Sequence, residues 1–361
     1  MRYANTTHYK LQGVNPAGLK KLDGEGFAWR AERMKSNRLV RLYHLAGYEQ
    51  YADRVEGCAT WLQFRVLGDK RELTTANFCG LRLCPMCTAR GAIVRARLLS
   101  RVMDGVQVEH HCQYIFLTLT IQNVTGPELG DAIGQLTQGW SRLMKQRPVQ
   151  AALRGWFRAI EITRNNEPGS QWYGTYHPHI HAIFAVEDDY FKPRSPLYLT
   201  HDDLVARWRK AMRLNYDPTV NIKATYEGGR KKNRRKIKNG DNEASRGAVL
   251  EAAKYATKDS DYISDSLGDE EAAEIVRDYT KALYHRRLTA FGGWLKDKAQ
   301  ELQAVDLDNV DLIQGEDSTI REDLAEVIEE YGWHFGAGDY VLARRYVNPL
   351  RVKREGGDDG D

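Results

Sequence analysis

Tyr176-His177-Pro178-His179-Ile180-His181-Ala182-Ile183-Phe184 is the stretch on which the reading of the fold turns. Three of the chain's 10 histidines fall within it, and the apolar residues that follow predict a strand over His179–Val186. Side chains alternate along a strand, so His179 and His181 share one face while Ile180 points to the other, into a core. Two imidazoles on one side of a sheet suit a divalent ion, which needs a further ligand. Arg158-Ala159-Ile160-Glu161-Ile162-Thr163 offers one. Ile160 and Ile162 would face the core, leaving Glu161 on the opposite face. Antiparallel pairing of the two segments would bring carboxylate and imidazoles together. His177 is the competing ligand, and a solvent-facing Glu161 is the plain alternative.

Outward from this stretch the chain has a β/α rhythm. Strands are expected at Tyr114–Thr120, Phe157–Thr163 and Val220–Tyr226, and helices at Glu128–Lys145 and Asp202–Leu214. Upstream, a helix around Leu39–Asp53 precedes strands at Thr60–Leu67 and Glu72–Phe78 about the turn Gly68-Asp69, then a basic helix at Arg90–Met103. Downstream, helices are expected at Ala248–Lys258, Asp269–Tyr284 and Glu322–Tyr331. Strands separated by helices of this length indicate an α/β or α+β domain with a central sheet. A length of 361 residues fits one to three compact units, and 42% hydrophobic residues can fill their cores.

A net charge of +4 is too small to establish a polyanionic partner. Its distribution says more: Arg230, Lys231, Lys232, Arg234, Arg235, Lys236 and Lys238 crowd one stretch, expected to be a mobile loop over 228–247, while the end of the chain is acidic. Such a run can neutralise phosphates, though a solvated loop reads equally well. No run of eighteen apolar residues predicts a membrane span, and the first residues lack a secretory apolar region, so a cytoplasmic protein without a membrane partner is expected.

Five cysteines in such a chain argue against a disulfide framework. Cys84 and Cys87 form a C-x-x-C pair just after Cys79, and the two strands between Cys58 and Cys79 can return both distant thiols to one point. A structural Zn2+ held by Cys58, Cys79, Cys84 and Cys87 is the expectation. His110 or His111 in place of Cys58 is the alternative, and Cys112 reads as packing.

Glu251-Ala252-Ala253-Lys254-Tyr255-Ala256-Thr257-Lys258 has good helix propensity and would place Glu251, Tyr255 and Lys258 on one ridge. A phenol is a weak nucleophile, with a pKa of about 10, and a nearby cation favours the phenolate. The ridge therefore offers an oxygen nucleophile, a cation and a carboxylate. Tyr262, further along, reads as packing, as do Trp172 and Tyr173, although these two could stack on bases.

Phe116-Leu117-Thr118-Leu119-Thr120, His177-Pro178-His179-Ile180-His181 and Glu251-Ala252-Ala253-Lys254-Tyr255, the last continuing into Lys258-Asp259-Ser260-Asp261-Tyr262, occur in that order. Together they resemble the replication initiator (Rep) proteins of rolling-circle plasmids, in the single-tyrosine branch of the HUH endonuclease superfamily. The run from Phe78-Cys79 through Cys84-Pro85 to Cys87 is similar to the cysteine motif of that branch, and Arg286-Arg287-Leu288 to Phe291-Gly292-Gly293 extends the likeness. The resemblance implies an α+β fold: an HUH-type central antiparallel sheet flanked by helices, an N-terminal zinc-binding module and a mixed C-terminal region. The corresponding division is 1–105, 106–263 and 264–361. It further implies that His179 and His181 hold Mg2+ or Mn2+, that Tyr255 is the nicking nucleophile, that Glu251 activates water in the terminating cleavage, and that Lys258 assists. Glu161 as third ligand follows by analogy with the superfamily. The activity implied is a metal-dependent, site-specific DNA endonuclease and strand transferase acting on single-stranded or hairpin origin DNA, with duplex origin DNA, a host helicase and a host polymerase as partners. A conjugative relaxase or transposase of the same superfamily would share this chemistry. A relaxase usually carries its tyrosine ahead of the histidines, whereas Tyr255 follows them. A non-catalytic, zinc-containing DNA-binding regulator is the alternative of a different class.

Overall fold

The computed structural model describes residues 22, 27–225, 257–264, 266–313 and 320–350. Glu251, Tyr255 and the basic stretch 228–247 lie outside the described residues. The architecture is α+β, with two antiparallel sheets flanked by helices. In chain order the strands are β1 (Trp61–Leu67), β2 (Lys70–Ala76), β3 (Gln113–Thr120), β4 (Gly155–Arg164), β5 (Tyr176–Val186), β6 (Val220–Thr225), β7 (Thr289–Gly293), β8 (Val327–His334) and β9 (Asp339–Val347). Two compact units are present, one of Met1–Val94, Asp265–Val276 and Asp311–Asp361, the other of Arg95–Ser264 and Arg277–Val310. Chain order and compactness therefore diverge. The last hundred residues are shared between the units, whereas the sequence reading set 264–361 apart.

The first unit carries the sheet β2-β1-β8-β9. Here two sequence expectations are corrected. The helix expected over Leu39–Asp53 is two helices, α1 (Trp29–Leu45) and α2 (Glu49–Glu56), separated at Gly47, whose φ of 80° no helix sustains. The helix expected at Glu322–Tyr331 is instead strand β8. Glutamates favour a helix locally, but Glu329, Tyr331 and Trp333 are buried at period two, with β1 on one side and β9 on the other. The buried Glu329 carboxylate is held by Arg71 at 3.1 Å, Arg345 at 3.3 Å and the Tyr331 hydroxyl at 3.0 Å. Tertiary pairing overrides propensity there.

The second unit is built on the sheet β6-β3-β5-β4-β7, antiparallel throughout. Its central strand β5 contains Pro178, which a central strand normally excludes. Tyr176 exchanges backbone hydrogen bonds with Val124. Pro178, two residues on, turns its nitrogen toward the same edge, where β3 has already ended at Thr120 opposite His179. The missing N–H thus interrupts no ladder.

The two faces of this sheet differ. On one, Trp156 and Phe184 pack against Trp140 of the helix α4 (Gly126–Met144), with ring centroids 5.2 and 5.9 Å away. On the other, Tyr114, Phe116, Phe157, Ala159, Ile183 and Ala185 bury themselves against Leu99, Val102, Met103 and Val106 of a preceding helix and Leu295 and Ala299 of a following one. Only half of that second face is covered in this way. Along the same alternation its other half carries Thr118, Thr120, Glu161, Thr163, His177, His179 and His181. Apolar side chains anchor one end of each strand, and the polar ends converge beyond them.

Candidate metal centres

Register brings the polar ends together: Glu161 lies opposite His179 on β4, Thr120 opposite His179 on β3, and Thr118 opposite His181. Glu161, His179 and His181 are all buried. Glu161 Oε2 lies 2.8 Å from His181 Nε2 and 3.6 Å from His179 Nε2, and the two imidazole nitrogens are 3.1 Å apart. Three ligand atoms, one from each side chain, cluster within 4.8 Å. Donors bound at about 2.1 Å to one ion stand roughly 3.0 Å apart at octahedral and 3.4 Å at tetrahedral angles. The observed triangle fits either geometry.

Hydrogen bonds behind the donors fix their orientation. His179 Nδ1 lies 3.0 Å from the His177 carbonyl oxygen. A carbonyl only accepts, so Nδ1 carries the proton and Nε2 presents its lone pair inward. His181 Nδ1 is 3.3 Å from Thr118 Oγ1, which can accept in the same way. Burial pushes the Glu161 carboxyl up, but when both rings are doubly protonated the Nε2–H groups of His179 and His181 and their positive charge outweigh it, holding the group well below the usual carboxylate range. His177, the competing ligand, stands outside this cluster; it contributes its backbone carbonyl and its ring lies 5.4 Å from that of His179.

Lys258 reaches the same carboxylate, with Nζ 3.4 Å from Glu161 Oε1. It does so from extended backbone at φ −93°, ψ 135°, just before a short 3-10 turn at Asp259–Asp261, and not from the helix expected to continue to that residue. Beyond it, Asp261 Oδ2 accepts from the Arg164 backbone N–H at 3.3 Å and the Tyr279 hydroxyl at 2.7 Å, and Asn166 donates to the Asp261 carbonyl. Residues 258 to 261 thus run alongside 161 to 164 in the same direction. Tyr262 is fully buried against Tyr279, as packing requires. Thr118 and Asp261 were missed as site residues. Thr118 was findable, because strand alternation and pairing put it on the histidine face; Asp261 lies in the run that continues the third motif, but nothing in that run assigns it a role.

The second cluster belongs to the other unit. Cys58 follows α2, Cys79 follows β2, and Cys84 and Cys87 sit at the start of the helix α3 (Pro85–His110). All four are buried and free of disulfides. Sulfur separations are 3.5 Å for Cys58–Cys87, 3.6 Å for Cys58–Cys84 and 3.7 Å for Cys79–Cys87. Thiolates at about 2.3 Å from a tetrahedral ion lie roughly 3.8 Å apart, so the cluster fits one ion. Backbone N–H groups of Cys79 and Gly80 point at Cys58 Sγ and Cys87 Sγ at 3.3 and 3.4 Å, as donors to thiolate sulfur do. His110, the alternative ligand, instead stacks on Trp294 at 4.0 Å, and Cys112 is buried in the core of the second unit. Among the described residues no helix is long and apolar enough to cross a membrane.

The sequence is similar to those of known proteins. A family model described as "Replication protein" matches residues 70–341. A "Protein rep" of Bacillus amyloliquefaciens is 31% identical over 353 residues, covering 94% of this chain and 99% of that protein. A "Protein rep" of Streptococcus pneumoniae serotype 2 is 32% identical over 302 residues, covering 82% and 87%. One from a Bacillus species is 34% identical over 271 residues, covering 74% and 85%. No solved structure matches the chain.

Proposed function

The chain belongs to the Replication protein family, and on that premise we propose that it initiates rolling-circle replication of a small plasmid by nicking single-stranded origin DNA. The observation that carries this reading is the Glu161–His179–His181 cluster with Lys258 at its edge. Tyr255 is three residues upstream of Lys258, and three peptide units span at most about 11 Å. That tyrosine is the nucleophile this reading assigns.

In this reading the sheet is the HUH sheet, and Glu161, His179 and His181 would hold Mg2+ or Mn2+. An ion held there would supply positive charge that polarises the scissile phosphate. The phenolic oxygen of Tyr255 attacks phosphorus in line and gives up its proton to a base. The bond to the 3′-oxygen breaks, and that oxygen leaves with a proton from solvent. The product is a 5′-phosphotyrosine and a free 3′-hydroxyl. One phosphodiester replaces another, so no nucleotide cofactor is consumed. The 3′-end primes a host polymerase behind a host helicase in the cytoplasm. Glu251 then deprotonates water, which cleaves the regenerated origin to a 5′-phosphate and a 3′-hydroxyl; that hydroxyl attacks the phosphotyrosine, expels the Tyr255 phenol and frees the protein. Lys258 holds the Glu161 carboxylate in place. Zn2+ bound by Cys58, Cys79, Cys84 and Cys87 would brace the other unit, and the basic residues 230–238 would contact duplex phosphates.

The test is nicking of a single-stranded oligonucleotide carrying the plasmid origin. Wild-type protein should cut it with Mn2+ and not with chelator, and Glu161→Ala should bind the oligonucleotide yet fail to cut. Metal-independent cutting, or full activity of Glu161→Ala, would overturn the proposal.

A further inference from the structure

The sequence reading placed Trp172 and Tyr173 in the core; the structure places both on the surface, each 44% exposed. They stand on the connection between β4 and β5, the two strands that supply Glu161 and both imidazoles. An exposed indole beside an exposed phenol ring leaves apolar surface in water.

The connection that carries them is rigidly built. Glu167-Pro168-Gly169-Ser170 forms a turn with proline at its second position, Gly169 at φ 88° in its third, and the Ser170 N–H donating to the Glu167 carbonyl at 3.2 Å. The Asn165 side chain donates to Ser170 Oγ at 3.2 Å, and the Trp172 N–H donates to that same oxygen at 3.2 Å. The Tyr173 N–H donates to the Ser170 carbonyl at 3.0 Å, and the Thr175 hydroxyl donates to the Trp172 carbonyl at 2.6 Å. The ends are closed by Asn165 N–H to the Thr175 carbonyl and Gly174 N–H to the Asn165 carbonyl, both at 2.9 Å. Asn123 Nδ2 ties Thr175 to the segment after β3 at 2.8 Å. A surface ordered in advance loses little entropy when a ligand settles on it.

Charge and position select the ligand. The Arg164 guanidinium lies 5.7 Å from the centre of the Tyr173 ring, and Lys258, half exposed, lies at the Glu161 end of the same strand. Arg164 pairs with Tyr176 in the register that sets Glu161 opposite His179. Three residues of strand, about 10 Å, therefore separate Glu161 from Arg164, whose side chain alternates to the opposite face, so the platform stands beyond the end of the sheet rather than on the metal face. Aromatic faces flanked by cations, a short step from a site for a phosphodiester, match a single strand of DNA: bases stack on rings while phosphates meet the cations.

We propose that Trp172 and Tyr173 are a stacking platform for unpaired DNA bases flanking the phosphodiester held at Glu161, His179 and His181. This subsite rests on the nuclease reading above for its proximity to a scissile phosphate, but its binding role can be measured without cleavage. The platform would hold an extruded strand across the site and discriminate against duplex, whose bases offer no free faces.

The test compares full-length wild-type protein with Trp172→Ala, Tyr173→Ala, the double variant, and Trp172→Phe with Tyr173→Phe as the aromatic control. Fluorescence anisotropy reads binding to a labelled thymidine oligonucleotide of about 20 nucleotides, and to the same strand with abasic sites, which keeps the phosphates and removes the bases. Each alanine substitution should weaken binding of the intact strand by roughly 5- to 150-fold, and the phenylalanine pair should recover most of it. Binding of the abasic strand should be equally weak for all forms, and binding of a duplex unchanged. A double alanine variant that binds the intact strand as tightly as wild type, or one that loses duplex and abasic binding in equal measure, overturns the platform. Wild type that binds the intact strand in the predicted pattern yet forms no covalent adduct with origin DNA supports the platform and overturns the nuclease reading alone.

Discussion

Asp261 holds the segment after Lys258 against β4, and it does so as a buried acid. The residue is 6% exposed. Burial pushes its carboxyl up; hydrogen bonds from Tyr279 and from the Arg164 N–H, together with Lys258, offset part of that, Glu161 adds repulsion, and the balance stands at about 6. Against an ordinary value of 3.8, a rise of about two units corresponds to roughly 3 kcal/mol. A folded-state pKa raised above the unfolded value gives stability that is fully present below about pH 4 and is lost as pH rises through about 6. Asp261→Asn keeps an oxygen for the two donors and removes the ionisation. The variant should match wild type near pH 4 and exceed it by roughly 3 kcal/mol at pH 7.5, a gap opening between about pH 4 and 6. Glu161, whose pKa is depressed, loses its contribution as pH falls, but it does so in both proteins and cancels in the difference. Urea unfolding of the two proteins side by side across that range measures the gap. Parallel profiles, or a variant less stable at neutral pH, would refute the reasoning.

Cys87→Ser should lose the metal of the thiolate cluster and destabilise the protein by well above the about 1 kcal/mol of a typical point substitution, read by elemental analysis and thermal unfolding; retention of a full equivalent of zinc would count against the cluster. Thr118→Val removes the hydroxyl that orients His181 and should weaken Mn2+ binding about 10- to 100-fold by calorimetry, whereas unchanged affinity would remove Thr118 from the site. Gly293 has φ 55° and ψ −144°, and a Cβ there would stand 2.1 Å from the Arg154 carbonyl oxygen. Gly293→Ala should therefore destabilise the β4–β7 edge by more than about 2 kcal/mol, and an unchanged melting temperature would contradict that.

Where local chemistry and tertiary pairing agree, the sequence was readable. Period-two alternation put His179, His181 and Glu161 on one face before any register was known, and the β4–β5 pairing then set them together. The spacing of Cys84 and Cys87, with two strands returning from Cys58 to Cys79, likewise predicted four sulfurs at one point. Failures arose where a distant partner decides the outcome. Glu329 sits in a helix-favouring run, yet Arg71 and Arg345 make its burial in a strand tolerable, and neither is near it in sequence. Trp172 and Tyr173 have core-like composition, but a proline-glycine turn lifts them to the surface. Asp261 lies in the run from Lys258 to Tyr262 that carries the resemblance, but only the fold sets it beside Tyr279 and Arg164.

Protease digestion and mass spectrometry of protein trapped on a single-stranded origin oligonucleotide with Mn2+ would locate the DNA attachment. The account requires a 5′-phosphate on the peptide containing Tyr255, lost in Tyr255→Phe. Attachment at any other residue, or persistence of the adduct in that variant, would contradict it.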